Sequence, residues 1–204
     1  MIYGKLKILM LGSSGCGKTS ILDVYNQKMT YESPTVGISI TGGTVRDTSS
    51  QQRRPTPVRF YDMGGSRFWW GWIPEYIIDT DIVFLFYDIT RPETLEEAQE
   101  ILDKIQDQQA NFRVIVVGNK TDLQEERKIK IFDINAWIAR NRRKGWLLRH
   151  IECNIRNITS FRKILDRAIN GLEMTLKPLA PAKAEFFYDK ASNPPSWMDY
   201  LLPW

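Results

Sequence analysis

The apolar run Lys5-Leu-Lys-Ile-Leu-Met-Leu11 leads directly into Gly12-Ser-Ser-Gly-Cys-Gly17-Lys18-Thr19. The run has the composition of a buried strand, and the spacing of apolar residues from Thr19 to Gln27 is helical. A glycine-rich turn between a strand and a helix lets backbone N–H groups surround phosphate oxygens, and the helix N-terminus adds a favourable dipole. The stretch therefore predicts a phosphate-binding loop, although a glycine-rich turn can also match the pattern by chance.

Each side chain of this loop has an expected role. Lys18 is expected to reach the β- and γ-phosphates, and the Thr19 hydroxyl is expected to bind magnesium. The remaining residues expected to line the phosphates are Ser14, Gly15, Cys16, Gly17 and Ser20.

The rest of the chain alternates apolar strand-like runs with helical spacing. Strands are predicted at Lys5–Leu11, Val36–Arg46, Pro57–Tyr61, Ile82–Tyr87, Val114–Val117 and Leu147–Glu152. Helices are predicted at Thr19–Gln27, Pro92–Gln109, Phe132–Arg143 and Ser160–Leu176. This alternation predicts an α/β fold with a mostly parallel, six-stranded sheet and helices on both faces. Ligands of such sheets bind at the carboxyl ends of the strands.

Length and composition predict one domain with an extension. The chain has 204 residues, of which 43% are hydrophobic and 25% charged, as in a soluble globular protein. Prolines recur beyond Leu176, so we expect a domain over residues 1–176 and an irregular extension over 177–204. The net charge of +4 is weak evidence for a polyanionic partner, and no nucleic acid is expected.

The chain offers no disulfide framework and no lipidation signal. Cys16 and Cys153 are its two cysteines, and they favour a reducing, cytoplasmic setting. Ile2 is not the glycine that myristoylation requires, and the C-terminal residues include no prenylatable cysteine. We therefore expect no intrinsic lipid anchor, and membrane contact only through partners.

A second motif, Asn119-Lys-Thr-Asp122, follows the predicted strand Val114–Val117. The Asp122 carboxylate can accept hydrogen bonds from N1–H and the 2-amino group of guanine. Adenine has neither donor, so the same carboxylate would face a lone pair at a cost of a few kcal/mol. Asn119 can bond the purine and connect this loop to the phosphate loop, and the stem of Lys120 can lie along the base. Together, the two motifs predict a guanine-nucleotide site.

The chain resembles the small GTPases of the Ras superfamily from about Lys5 to Leu172. The resemblance implies a P-loop NTPase G domain that binds GTP or GDP with Mg²⁺. In Tyr31-Glu-Ser-Pro34-Thr35-Val-Gly37 it assigns Thr35 to magnesium and the γ-phosphate. Tyr31 is the nearest candidate for the aromatic residue that packs on the guanine in this family.

The family motif Asp-x-x-Gly-Gln reads Asp62-Met-Gly-Gly65-Ser66 here. The resemblance implies that Asp62 holds magnesium through water and that the Gly65 N–H meets the γ-phosphate. Ser66 stands where the family has the glutamine that positions the attacking water, and its hydroxyl is too short for that task. Because positioning supplies most of the catalysis in this class, we expect slow intrinsic hydrolysis. The expected catalytic residues are Lys18, Thr35, Gly65 and Ser66.

Other motifs divide between two branches of the superfamily. The double glycine before Ser66 and Pro34-Thr-Val-Gly37 are similar to the Arf branch. Tyr87-Asp-Ile-Thr90 and Gly118-Asn-Lys-Thr-Asp-Leu123 are similar to the Rab branch. The chain is therefore identified as an atypical Rab-like or Arf-like member. Its counterpart of the family's last base-binding loop follows the last strand, where Cys153 and Asn154 are expected to support the base.

Aromatic residues suggest where partners bind. Trp69, Trp70 and Trp72 lie within four residues, shortly after the expected phosphate-sensing glycines. Tryptophan is the commonest anchor of binding hot spots, so an effector or scaffold protein is expected here, although some of the tryptophans can instead pack on the sheet. The extension also contains aromatic residues among its prolines, and it can dock on its own domain or on a partner.

Three functions remain open from the sequence. The leading hypothesis is a GTP/GDP-dependent molecular switch, in which the γ-phosphate and magnesium order Thr35 and Gly65. The second is a protein of the same fold that retains GTP and serves as a structural or scaffold subunit, which Ser66 favours. The third, a P-loop ATPase or kinase, leaves Asp122 without a purpose.

Overall fold

The computed structural model describes residues 6–28, 33–46, 55–106, 112–143, 148–154 and 158–169. Six strands in these ranges form one sheet in the order β2-β3-β1-β4-β5-β6. Their bounds are β1 Leu6–Gly12, β2 Ile38–Arg46, β3 Pro55–Met63, β4 Ile82–Asp88, β5 Arg113–Asn119 and β6 Leu148–Glu152. Only β2 runs antiparallel to its neighbour; the other pairs are parallel. The predicted mostly parallel six-stranded sheet is confirmed.

Helices connect the strands. Their bounds are α1 Lys18–Tyr25, α2 Ile73–Tyr76, α3 Glu93–Gln106, α4 Ile131–Arg143 and α5 Ile158–Ile169. Two 3₁₀ helices cover Arg67–Trp72 and Thr121–Glu126. The predicted helices are all present, with ends that differ by a few residues within the described ranges. None of the helices in these ranges has the length and apolar character needed to cross a lipid bilayer.

The sheet separates two hydrophobic clusters, as the alternation of side chains along a strand requires. On one face, Leu9, Leu85 and Val116 of the sheet pack with apolar residues of α2, α3 and α4. On the other face, Ile8 and Phe84 pack with residues of α1 and α5. Every residue of β4 is buried, which explains why this strand was a continuous apolar run in the sequence. Helices therefore cover both faces, as predicted.

The second strand of the β2–β3 hairpin is longer than the sequence indicated. Pro55 and Thr56 pair with Arg46 and Val45 of β2, ahead of the predicted start at Pro57. At its other end β3 continues through Met63, which places Asp62 inside the strand rather than just beyond it.

The tryptophan-rich segment is folded rather than a loose loop. Residues 67–72 form a 3₁₀ helix and α2 follows at once. The prediction that Trp70 belongs to a partner surface is wrong, because its side chain is only 3% exposed and packs in the core with Ile73 and Ile77. Tyr31 and the extension at 177–204 lie outside the described residues.

Candidate functional site

The phosphate loop bends around a buried cation. Gly12 and Gly17 adopt φ angles of 136° and 88°, a region that side chains with a Cβ rarely occupy. Lys18 is buried, and its Nζ donates to the carbonyls of Gly12 at 2.8 Å and Ser13 at 2.9 Å. Burial lowers the pKa of Lys18, because a charged ammonium loses solvation there. A buried cation in a glycine-rich loop that leads into a helix N-terminus is suited to binding an anion.

Three oxygen-bearing side chains from separate parts of the chain meet at the start of α1. The Thr19 hydroxyl lies 2.5 Å from Asp62 Oδ2 and 2.6 Å from the Thr35 hydroxyl. Oxygen ligands are those that magnesium prefers, and this ion usually takes few protein ligands together with phosphates and water. Thr19, Thr35 and Asp62, which were selected as metal ligands from the sequence, are thus adjacent and fit Mg²⁺. Elsewhere in the described ranges, no group of three or more His, Cys, Asp or Glu side chains is arranged to hold a metal ion.

Gly64 and Gly65 lie close to the phosphate loop and to Thr35. The Gly64 N–H donates to the Gly37 carbonyl at 2.8 Å. A Cβ at Gly64 would collide with the Thr35 carbonyl and the Trp69 ring, and one at Gly65 would collide with the backbone of Ser14. Close backbone approach explains why glycine is needed at both positions. The arrangement brings the Gly65 backbone to the phosphate loop, and its contact with the γ-phosphate stays a prediction.

The two residues after Gly65 point away from this contact. Ser66 is exposed, and its hydroxyl accepts a hydrogen bond from the Phe68 N–H at 3.4 Å as the N-cap of the 3₁₀ helix. Arg67 donates to both carboxylate oxygens of Glu100, at 2.6 and 2.7 Å, and to Glu97 at 3.4 Å. The Arg67 guanidinium is therefore paired with α3.

The expected base-binding loop is bonded to the phosphate loop. Asn119 is buried, and its Nδ2 donates to the Cys16 carbonyl at 2.7 Å, which is the connection predicted from the sequence. On the other side, the Cys153 thiol lies 3.7 Å from Asn119 Oδ1, and Asn154 Nδ2 donates to Thr121 Oγ1 at 3.1 Å. Burial, followed by the charge of Glu152, raises the pKa of Cys153 to about 12. This thiol therefore supports the loop in its neutral form.

These segments surround one open cavity of about 430 Å³, a volume in the range of small-molecule sites. Of the residues selected from the sequence, those lining the cavity are Ser14, Gly15, Gly17, Lys18, Thr19, Ser20, Thr35, Gly65, Asn119, Lys120 and Asp122. Four other residues do not line the cavity but contact the lining residues or their loops, as described above: Asp62, Cys16, Cys153 and Asn154. Ser66 does not line the cavity, and Tyr31 lies outside the described residues.

Two polar residues of this region were missed from the sequence. Asp88 ends the buried strand β4 and pairs in register with Asn119. Arg91, three residues later, donates from Nη2 to the Ser14 carbonyl at 2.9 Å. The signal for Asp88 was its position at the carboxyl end of a buried parallel strand, where ligands bind. Arg91 reaches the phosphate loop across 77 residues of sequence, and no local pattern indicates that contact.

The arrangement of sheet, phosphate loop and base-binding loop agrees with the comparison with known protein families. A family model described as Ras family matches residues 7–173. The matched range contains nearly every described element of the fold and all the cavity-lining residues.

Proposed function

Since the chain belongs to the Ras family of small GTPases, we propose that it binds GTP and GDP in this cavity and acts as a molecular switch with slow intrinsic hydrolysis. The bond from Asn119 Nδ2 to the Cys16 carbonyl carries the proposal. It fixes the expected base-binding loop beside the phosphate loop, so one cavity offers a carboxylate for guanine and amides for phosphates. Isothermal titration with GDP, GTP and ATP tests the proposal, and equal affinity for ATP would contradict it.

Mg²⁺ is proposed to bind between Thr19, Thr35 and Asp62. The Thr19 hydroxyl lies within hydrogen-bond distance of both the Thr35 hydroxyl and the Asp62 carboxylate. The set contains a single carboxylate, which suits an ion that also takes phosphate oxygens and water. When bound, Mg²⁺ would neutralise charge on the phosphates.

Slow hydrolysis is proposed because Ser66 and Arg67, the two residues that follow Gly65, are both engaged in other contacts. The Ser66 hydroxyl caps the 3₁₀ helix instead, and Arg67 is occupied by Glu97 and Glu100. Efficient members of this class use a glutamine to position water and an arginine to stabilise the transition state. The Gly65 backbone and Lys18 remain as groups that can stabilise charge.

Replacing Ser66 with Gln is expected to raise the rate of GTP hydrolysis by roughly tenfold, because general positioning effects in catalysis are of this order or larger. The longer amide can reach past Gly65 toward the phosphate loop. Single-turnover phosphate release from preloaded GTP measures the rate. Ser66→Asn is the matched control, because its amide has the same chemistry on a shorter stem. An equal rise in both variants, or no rise with Gln, would contradict the proposed role of position 66.

The switch itself is proposed to involve the contact between Thr35, Gly64 and Trp69. A Cβ at Gly64 would touch both the Thr35 carbonyl and the Trp69 ring, so a change in either loop alters the surroundings of the indole. Trp69 also packs edge-on against Trp72, with ring centroids 5.1 Å apart. In GTPase switches, the γ-phosphate of GTP and its Mg²⁺ order the two switch loops, which here would be those that carry Thr35 and Gly64.

Exchange of GDP for a non-hydrolysable GTP analogue is expected to move tryptophan emission to shorter wavelength, because the ordered loops shield Trp69 from water. Trp69→Phe is expected to remove most of this shift. Trp137→Phe is the control, since Trp137 is buried in the core on α4 and should leave the shift unchanged. A shift of equal size in wild type and Trp69→Phe would contradict the proposed contact.

The alternative function is a GTP-retaining scaffold subunit, which the position of Ser66 also supports. The nucleotide extracted from purified protein after long storage separates the two. Mostly GDP supports the switch, whereas mostly GTP supports the scaffold.

Partners are proposed to bind beside the switch loops. Phe68 is 63% exposed and Trp72 is 42% exposed, and Val36 on the neighbouring loop is also exposed. Neighbouring exposed apolar side chains of this kind are typical of protein interfaces. We also propose that residues 1–176 form the domain and that residues 177–204 form an extension that binds a second partner. We place the chain between the Rab-like and Arf-like branches. A cytoplasmic setting is proposed because the two cysteines are buried and free.

A further inference from the structure

Arg91 connects the phosphate loop to the end of β4. Its Nη2 donates to the Ser14 carbonyl at 2.9 Å, and its Nε donates to Asp88 Oδ2 at 3.0 Å. The guanidinium also covers the outer side of Gly15, where an added Cβ would lie 3.5 Å from Nη2. Nη2 also lies 4.0 Å from Cys16 Sγ. One side chain therefore contacts Ser14 and Cys16 of the phosphate loop.

The backbone that carries Arg91 is fixed from both sides. Its N–H donates to the Asp88 carbonyl at 3.0 Å, and its carbonyl accepts from the Thr94 hydroxyl at 2.6 Å. The Thr94 hydroxyl also accepts from the Asp88 N–H at 3.0 Å. Because these bonds fix its Cα, Arg91 can hold the phosphate loop in place rather than follow it.

Asp88 joins this arrangement to the base-binding loop. Its carboxylate is fully buried and accepts from Lys120 Nζ at 2.6 Å, from the Thr90 N–H at 2.9 Å and from the Thr90 hydroxyl at 2.7 Å. Burial alone would raise the pKa of Asp88, but the hydrogen bonds from Lys120, Thr90 and Arg91 outweigh it and lower the pKa. The carboxylate thus remains charged and binds both cations at once.

We propose that Arg91 is a positioning residue that slows the release of bound guanine nucleotide by holding the phosphate loop against Asp88; this inference rests on the proposed nucleotide-binding function. Opening of the phosphate loop breaks the bond from Arg91 to Ser14. Opening of the base-binding loop breaks the bond from Lys120 to Asp88. The two loops are therefore coupled through one carboxylate, which does not line the cavity.

Arginine suits this task better than lysine because its planar fork offers several donors in fixed directions. Arg91 Nε donates to the Asp88 carboxylate, and Nη2 donates to the Ser14 carbonyl. Lys120 binds Asp88, whereas Arg91 binds both Asp88 and Ser14. The geometry therefore gives each cation a separate function.

The test measures dissociation of a fluorescent GDP analogue from the full-length chain with Mg²⁺ present. Arg91→Ala is expected to increase the dissociation rate about tenfold, since a hydrogen bond to a charged group is typically worth about that factor. Arg91→Lys is expected to lie between Arg91→Ala and wild type, because an ammonium can keep the Asp88 pair but not both contacts. Arg113→Ala is the matched control: Arg113 also donates to a main-chain carbonyl, that of Ala168 at 3.3 Å, at the start of β5, the opposite end of that strand from Asn119.

A general loss of stability would also speed release, so a second readout is needed. The ³¹P resonance of the GDP β-phosphate is expected to move in Arg91→Ala and to stay in place in Arg113→Ala. An unchanged ³¹P resonance, or the same rate increase in Arg113→Ala, would overturn the inference. If wild type binds no GDP, the proposed function fails; if wild type binds GDP and Arg91→Ala releases it at the wild-type rate, only this inference fails.

Discussion

Replacing Asp122 with Asn is expected to weaken GDP binding by roughly 10²–10⁴-fold. Two hydrogen bonds to a charged acceptor, each worth about 1.5–3 kcal/mol, are replaced by one bond to a neutral oxygen and one donor that faces another donor. Asp122 lines the cavity in the 3₁₀ helix that follows β5. The Asn amide offers one oxygen acceptor in place of two, and its NH₂ group would face the donors of guanine. Calorimetry with GDP measures the loss.

The same substitution is expected to favour a different base. Xanthine carries a carbonyl oxygen where guanine carries the 2-amino group, and the NH₂ group of the introduced asparagine can donate to that oxygen. We therefore expect xanthosine diphosphate to bind the Asp122→Asn variant more tightly than GDP does, while wild type shows the reverse order. A reversal of preference cannot come from general destabilisation, because an unfolded protein would bind both poorly.

Two comparisons complete the Asp122 experiment. Glu126→Gln removes a carboxylate from the same 3₁₀ helix without touching the cavity, and GDP binding is expected to stay at the wild-type level. Competition by ATP against labelled GDP addresses the ATPase hypothesis. If ATP displaces GDP from wild type as readily as GTP does, or if Asp122→Asn binds GDP normally, Asp122 does not recognise the base.

The buried strands could be predicted closely because burial on both faces leaves a direct mark on composition. Ile82–Tyr87 was predicted as a strand and β4 spans Ile82–Asp88, since every position there is apolar except the last. The 3₁₀ helix Arg67–Trp72 and the helix α2 that follows it were not predicted. Trp70, Ile73 and Ile77 are buried along this segment, but Gly71 and Pro74 between them are typical of loops.

The candidate site was predictable where its chemistry is local. The phosphate loop is a continuous motif, and a connection from Asn119 to that loop was expected from the sequence; the structure shows it as the bond to the Cys16 carbonyl. The bridge from Arg91 to Ser14 could not be predicted, because its residues are 77 positions apart and neither type is unusual in a loop. The direction of a short side chain such as Ser66 also depends on its rotamer, which no sequence pattern specifies.

Replacing Lys18 with Met is expected to weaken GDP and GTP binding by roughly 10²–10³-fold, because charge-assisted contacts to phosphate are strong and the buried setting strengthens them. The Met side chain keeps an apolar stem of similar length but has no charge. The lost affinity should come from contacts with the phosphates. The ratio of GDP affinity to GMP affinity is therefore expected to drop, while GMP binding changes little. Calorimetric titration with both nucleotides measures the ratio.

Proton uptake gives an independent check on Lys18. Burial lowers its pKa in the free protein, whereas a bound phosphate favours the charged ammonium and raises the pKa. Between the lowered pKa of the free form and the higher pKa of the bound form, the wild-type protein should therefore take up a proton when GDP binds, and the measured heat should depend on the ionisation enthalpy of the buffer. Lys18→Met should lose this buffer dependence. Equal buffer dependence in both proteins would contradict this role, because the group that takes up the proton must also be the group that binds the phosphate. An unchanged ratio of GDP to GMP affinity would likewise show that Lys18 does not contact the phosphates.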